Sequence, residues 1–438
     1  MSDACANQNS HTNTNSRSNR GLAGRILRIC VPALLWTIVG IAAPVFVTVM
    51  HRSDRATQED FAVYYFEAQE MRHNINPYTT DFGLMPRSRG LNIHGIRRGN
   101  DPPTFIAFLF VPLTHVPLRT AYWIWQTLNA ACLFGALYLL LGHDTGLVLI
   151  PAITLGAIAL LYPAIASHFW FAQSKFPLLL LLVLMMRWAN RKHEAWAGFA
   201  LALSILLRIF PLVLTGYLIL QHRWRILTYT VAGLLAGIAL TIAAGGFENC
   251  LAFALSLSAF ANDSWNGIQR DLAANFFISR EIWSISPHPG AGLELIRHAL
   301  IVAVDSLVIA ATTRVTLKVP AGEDPDSRIF SLWVATAVFL LPIAWDYDLA
   351  LMLIPFSQLA VVAARGEASR RAIAMAVLSY LLLIWWEYVA LSSNESGFFS
   401  MLTAYLSAYW LATDQPAAVN VPLLSVPGEI WRRLAPTG

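Results

Sequence analysis

Long apolar runs follow one another along most of this chain with only short polar turns between them, and nothing else in the sequence limits its fold so strongly. A run of about 20 apolar residues has the length of a helix that crosses a bilayer. Such runs occupy 31–50, 120–141, 147–166, 176–189, 195–207, 209–221, 226–244, 298–317, 329–344, 347–364, 372–391 and 398–412. The chain has 438 residues, 56% hydrophobic and 13% charged, against about 25% charged in ordinary soluble domains. Water cannot solvate this much apolar surface. A soluble multidomain enzyme is excluded, and the expected fold class is an all-α polytopic membrane protein with about 12 transmembrane helices.

The net charge of +4 would hint at nucleic acid only if the basic residues were clustered. They are instead spread over the N-terminal tail and short loops, as membrane orientation requires, so no nucleic-acid partner is expected. The segment 104–118 is apolar but holds two prolines and only 15 residues, and it reads as a helix lying in the interface. If it does not cross, Arg187, Arg191, Lys192, Arg223, Arg225, Arg314, Lys318 and Arg328 all fall inside, and the short outside turns carry only Lys175 and Arg208. If it did cross, WANRKHEAW and QHRWR would be turned outward against the positive-inside rule.

This gives a cytoplasmic N-terminal tail over 1–30, one integral membrane domain over 31–412 and a cytoplasmic C-terminal tail over 413–438. Two long outside loops cover about 51–119 and 245–297. Residues 1–24 are rich in Ser, Asn and Thr and are expected to be disordered. The first span is followed by no small-residue cleavage site and reads as uncleaved. Cys5, Cys30, Cys132 and Cys250 have neither disulfide-framework nor metal spacing. No internal repeat of 20–50 residues is visible.

Several residues have chemistry to offer. Asp60 stands ten residues past the first span at the head of a helical stretch, DFAVYYFEAQEM. A carboxylate there can take the proton of an acceptor hydroxyl, or merely cap the helix. In WAGFALALSILLRIFPLVLTGYLILQHRWR, 26 residues separate inside charges, too few for two full spans. The stretch must be a shallow hairpin with Arg208 near its apex. A guanidinium at membrane depth costs about 2.5–3.5 kcal/mol on insertion scales, tolerable beside an anion such as phosphate or by snorkelling to headgroups. Gln173 and Lys175, with His168, lie in the turn SHFWFAQSK. Asn266 and Arg270 fall four apart, on one face of a helix, where they could meet sugar hydroxyls or phosphate. Trp345, Asp346 and Asp348 crowd a turn between two spans, where Trp345 could be a platform for a sugar and Asp346 a helix cap.

Taken in order, these pieces resemble glycosyltransferase family 87, the polyprenyl-phosphate-mannose-dependent mannosyltransferase-like group with the GT-C fold. The carriers are D-F-x-x-Y-Y at Asp60–Tyr65, N-P-Y at Asn76–Tyr78, P-P at 102–103 and W-x-W-x-x-x-N at Trp123–Asn129. Then come Q-x-x-x-x-L-L-L from Gln173, A-G-x-x-L-A-L from Ala197 to the Arg208–Pro211 apex, and W-D at 345–346. The resemblance implies inverting transfer of a hexose, mannose, from a polyprenyl-phosphate donor to a lipid or glycan acceptor at the outer face of the cytoplasmic membrane. It implies Asp60 as general base and Arg208 as the donor-phosphate residue, and Arg270 in the second loop is expected as a further phosphate contact. Gln173, Lys175, Asn266, Trp345, Asp346, Asp348 and Tyr78 make up the expected substrate-binding set. No cofactor and no metal is implied, although Asp346 and Asp348 have a D-x-D spacing that a divalent ion could use. The usual Gly-Gln-x-Asn reads Ala172-Gln173-Ser174-Lys175, and the histidine often found after the late Trp gives way to Asp346-Tyr347-Asp348. The rival reading is a polytopic transporter or flippase of a lipid-linked or anionic substrate.

Overall fold

The computed structural model describes residues 60–73, 75–77, 103–141, 156, 158–262, 271–286, 290–321, 324, 327–388 and 394–413. Among these residues the chain is helical, with no strand. The expected span 31–50 and most of 147–166 lie outside them, as do Tyr78, Asn266 and Arg270.

Helix α1 (Asp60–Arg72) packs on α2 (Thr104–Phe110) and the 3-10 turn Val111–His115 that continues it. Together α2 and its extension make the 104–118 segment a short apolar helix. Pro112 falls early in the 3-10 turn, where its missing N–H costs nothing. α3 (Leu118–Leu141) buries Tyr122, Gln126, Asn129, Leu133, Leu137 and Leu140 at spacings of three and four, the stripe of a helix with one covered face. Its first turns and α1 share a small aromatic core in which Phe61, Phe110 and Tyr122 meet edge to face or tilted.

α4 (Pro163–Phe171) is followed by a three-residue turn and α5 (Lys175–Asn190). α6 (Glu194–Leu207) ends at Arg208, whose extended backbone breaks the helix. The chain resumes as a 3-10 turn, Phe210–Val213, and α7 (Leu214–Leu220). The hairpin expected at 195–221 is present. Arg225 lies 3.5 Å from Glu194, and Arg223 Nη1 donates to Ala189 O at 3.4 Å, so the chain returns to the level it left. Fourteen residues of α6 rise about 21 Å, short of a hydrocarbon core of about 30 Å. α8 (Trp224–Gly245) locks α6 in place by close backbone approach. A Cβ on Gly198 would lie 2.7 Å from Ile226 O, and one on Gly233 would lie 2.7 Å from Ala202 Cβ.

Beyond α9 (Phe247–Asn262) and α10 (Ala274–Ile285) runs α11 (Ala291–Thr316). α12 (Arg328–Phe339) sits at the centre, buried along its whole length from Ile329 to Phe339. Two of its polar side chains find partners on α11. Thr336 Oγ1 lies 2.8 Å from Thr312 Oγ1, and Trp333 Nε1 donates to Thr316 Oγ1 at 2.9 Å. The expected span 329–344 therefore stops as helix at Phe339. A bend and a 3-10 turn (Asp346–Met352) lead into α13 (Leu353–Ala364). α14 (Arg370–Tyr388) and α15 (Asn394–Thr413) pack closely together to finish the described chain.

Among the described residues, four helical segments are long and apolar enough to cross a membrane: Leu118–Leu141, Trp224–Gly245, Ala291–Thr316 and Asp346–Ala364. On the outward faces of α8 and α11, Leu235, Leu240, Val302 and Leu307 are exposed, a distribution suited to lipid and costly in water.

Candidate functional site

Where helices break, side chains at the breaks converge. The C-terminus of α4, the break after α6, the turn before α13 and one face of α1 meet at a common end of the bundle.

Arg208 is the hub. Its Nη2 donates to Tyr64 Oη at 2.6 Å and to Gln173 Oε1 at 2.8 Å, and its Nε donates to Ser174 Oγ at 3.3 Å. Tyr64 closes the ring by donating its hydroxyl to Gln173 Oε1 at 2.7 Å. A charged donor shared among several acceptors makes stronger bonds than a neutral one, and a planar guanidinium fixes their directions. Tyr64 is one helical turn beyond Asp60, the first residue of α1. Positions four apart share a helix face about 6 Å apart along the axis. The backbone therefore brings Asp60 to the neighbourhood of Arg208, although 148 residues separate them in sequence.

The turn between α4 and α5 is held tightly. Ala172 adopts the left-handed conformation (φ 50°) at the end of α4, the position where glycine is commonest. Its carbonyl accepts a bond from Trp125 Nε1 at 2.8 Å, and Gln126 Nε2 reaches Phe169 O at 2.7 Å, so α3 clamps this turn from one side. His168 clamps it from within. Its Nε2 accepts from Lys175 N at 3.0 Å and Phe176 N at 3.2 Å. Burial holds this imidazole well below the usual histidine range, with Lys175 and Arg208 nearby adding to the effect.

Lys175 is buried and ion-paired to Asp348 Oδ1, with Phe210 and Tyr347 rings 5.2 and 5.8 Å from its ammonium. Asp348 Oδ2 accepts from Trp345 N at 2.9 Å, so it is Asp348 that reaches back to cap the 3-10 turn. Asp346 accepts from the adjacent Tyr347 N at 2.9 Å. The Trp345 and Tyr347 rings stack at 6.1 Å. Asp271 anchors this turn from the second loop. Its Oδ1 accepts from both Ala273 N and Ala344 N at 2.9 Å, while Leu272 N donates to Ala344 O at 2.7 Å. Burial raises the Asp271 carboxyl to about 7, partly offset by those backbone bonds, with Asp348 nearby raising it further.

Of the expected site residues, Gln173 and Arg208 bond directly, and Lys175, Trp345, Asp346 and Asp348 stand in the adjoining turns. Among the described residues no group of three or more His, Cys, Asp or Glu is placed to hold a metal ion. The sequence reading missed Tyr64, Ser174 and Asp271, and gave His168 no role. Tyr64 was open to recognition, being one turn from Asp60 inside D-F-x-x-Y-Y. Asp271 carried no signal, since its partner Ala344 is 73 residues away.

Among the described residues the chain is all-helical, with apolar helices of membrane length and a buried polar cluster where helices break, which is the character of a membrane protein. Residues 102–344 match glycosyltransferase family 87. That match covers just over half of the chain, which belongs to this family and is a glycosyltransferase. Comparison with individual curated proteins gave no match.

Proposed function

We propose that this protein transfers a hexose, mannose, from a polyprenyl-phosphate donor to a lipid or glycan acceptor on the extracytoplasmic side of the inner membrane. It does so with inversion, within a GT-C fold of about twelve spans. The observation that supports the reading is the bond from Arg208 to Tyr64, which stands one turn from Asp60 on the same helix.

The prenyl chain lies among apolar helices and the donor phosphate meets Arg208, with Arg270 as a second contact. Gln173, Lys175, Asn266, Trp345, Asp346, Asp348 and Tyr78 surround the sugar and the acceptor. The acceptor oxygen attacks the anomeric carbon as Asp60 takes its proton. The bond from that carbon to the phosphate oxygen breaks, and the phosphate leaves with the electron pair. Arg208 stabilises the charge that develops on it. Attack from the face opposite the leaving group gives inversion.

The test is Asp60→Asn in purified protein supplied with radiolabelled polyprenyl-phosphate mannose and membrane lipid extract. General-base catalysis contributes about 10²–10⁴-fold, so the variant should lose transfer by that factor while still binding donor. Turnover equal to that of the unaltered protein would remove Asp60 from the mechanism.

A further inference from the structure

Helix α5 opens without the cap its sequence offers. Ser174 occupies the N-cap position, where a serine hydroxyl ordinarily accepts from the first backbone N–H groups, yet its side chain makes no capping bond. The hydroxyl accepts from Arg208 Nε instead. The N–H groups of Lys175 and Phe176 go to His168 Nε2. The imidazole thus takes over the capping that would otherwise compete for Ser174.

His168 is fully buried and its ring stacks on Phe176 with centroids 3.6 Å apart. An Nε2 that accepts two N–H donors must be unprotonated, so the ring proton sits on Nδ1. Nδ1 has no hydrogen-bond partner among the described residues. An imidazolium here would lose both accepted bonds. It would also point its charge at a helix N-terminus and at Lys175 and Arg208. The acids nearby, Asp346 and Asp348, lie in the turn packed against α4, and Asp348 is already paired with Lys175.

We propose that His168 is a positioning residue of the transfer site: its neutral Nε2 caps α5 and so frees Ser174, with Gln173, to orient Arg208. The proposal rests on the donor-site role given to Arg208 above. His168 touches no reacting atom in it.

Two measurements on the full chain in lipid nanodiscs test it. In the first, the protein carries ¹⁵N-labelled histidine, and the His168 signal is assigned by its loss in His168→Gln. The Nδ1–H tautomer should persist as pH falls through the range in which an ordinary histidine protonates. An Nε2–H tautomer, or an imidazolium that forms within the ordinary histidine range, overturns the proposal. In the second, donor kinetics with radiolabelled decaprenyl-phosphate mannose compare His168→Leu, which has no acceptor, with His168→Gln, whose amide oxygen is a neutral one. His168→Leu should raise donor KM about tenfold, equivalent to about 1.4 kcal/mol, with kcat changed much less. His168→Gln should remain near the unaltered protein. A purely structural histidine would lower thermal stability in His168→Leu and leave KM alone, and that result overturns the proposal. If the unaltered protein does not turn over this donor, the functional reading fails, while the tautomer still decides the role of His168.

Discussion

Replacing Tyr64 by Phe removes one oxygen atom from the ring of bonds around Arg208. That oxygen accepts from Arg208 Nη2 at 2.6 Å and donates to Gln173 Oε1 at 2.7 Å. The aromatic ring would stay, since it is buried and packs edge to face on Phe110 at 5.3 Å, so α1 should keep its seat. A bond to a charged group contributes about 1.5–3 kcal/mol and a neutral one about 0.5–1.5. Gln173 Oε1 keeps Arg208 as a partner in the variant, so the neutral bond should add little to the loss. The loss in orienting Arg208 is then about 1.5–3 kcal/mol, or roughly 10- to 150-fold in donor binding. The assay is steady-state transfer from radiolabelled polyprenyl-phosphate mannose in nanodiscs, with donor and acceptor varied separately. The expected result is a donor KM raised within that range, an acceptor KM little changed, and a melting temperature close to that of the unaltered protein. An unchanged donor KM would refute the idea that Tyr64 orients Arg208 for the phosphate. So would an equal rise in both KM values.

Further consequences can be measured on stability. Lys175→Met would strand Asp348 in a buried site, and losing one partner of such a pair costs about 3–5 kcal/mol. Adding Asp348→Asn should recover most of the lost melting temperature, because the amide oxygen can still accept from Trp345 N. Asp271 should make stability depend on pH. Its carboxyl sits at about 7 in the folded chain against an ordinary value of 3.8, so folding favours the protonated form. The stabilisation is complete below about pH 4 and is lost as pH rises through about 7, and Asp271→Asn should flatten that slope in melting temperatures measured from pH 4 to 8. Ala172 holds a left-handed backbone that costs a non-glycine residue about 1–2 kcal/mol. Ala172→Gly should therefore raise the melting temperature slightly or leave it unchanged, once the greater freedom of unfolded glycine is subtracted. A marked fall would mean that the Ala172 methyl contributes to the aromatic core beneath it.

The helical character was legible because apolar length is a local property. The hairpin around Arg208 could be argued from 26 residues between two charged ends, and the structure has that hairpin. Asp60 at the head of a helix was likewise visible in its flanking residues. What stayed hidden were the partnerships. Lys175 and Asp348 each looked available for substrate when read alone, yet they pair with one another across 173 residues. The division of labour between Ser174 and His168 was equally out of reach. Serine before a helix announces a cap, and only coordinates reveal that an imidazole took the post. The end of α12 also escaped, because the residues after Phe339 stay apolar where the helix stops.

The interruption at Arg208 has a consequence for how a long lipid would be held. Hydrocarbon cannot satisfy the peptide groups that an unwound stretch exposes, so a bilayer surrounding α6 would have to end, or be screened by protein, where the helix gives way. A molecule with a greasy tail and a charged head would be sorted at that level. Its chain could wander sideways among its own kind, while its head would be gripped by a fixed set of dipoles. Entry from the plane of the membrane and recognition at its rim would then be separate events, with the kink as their border.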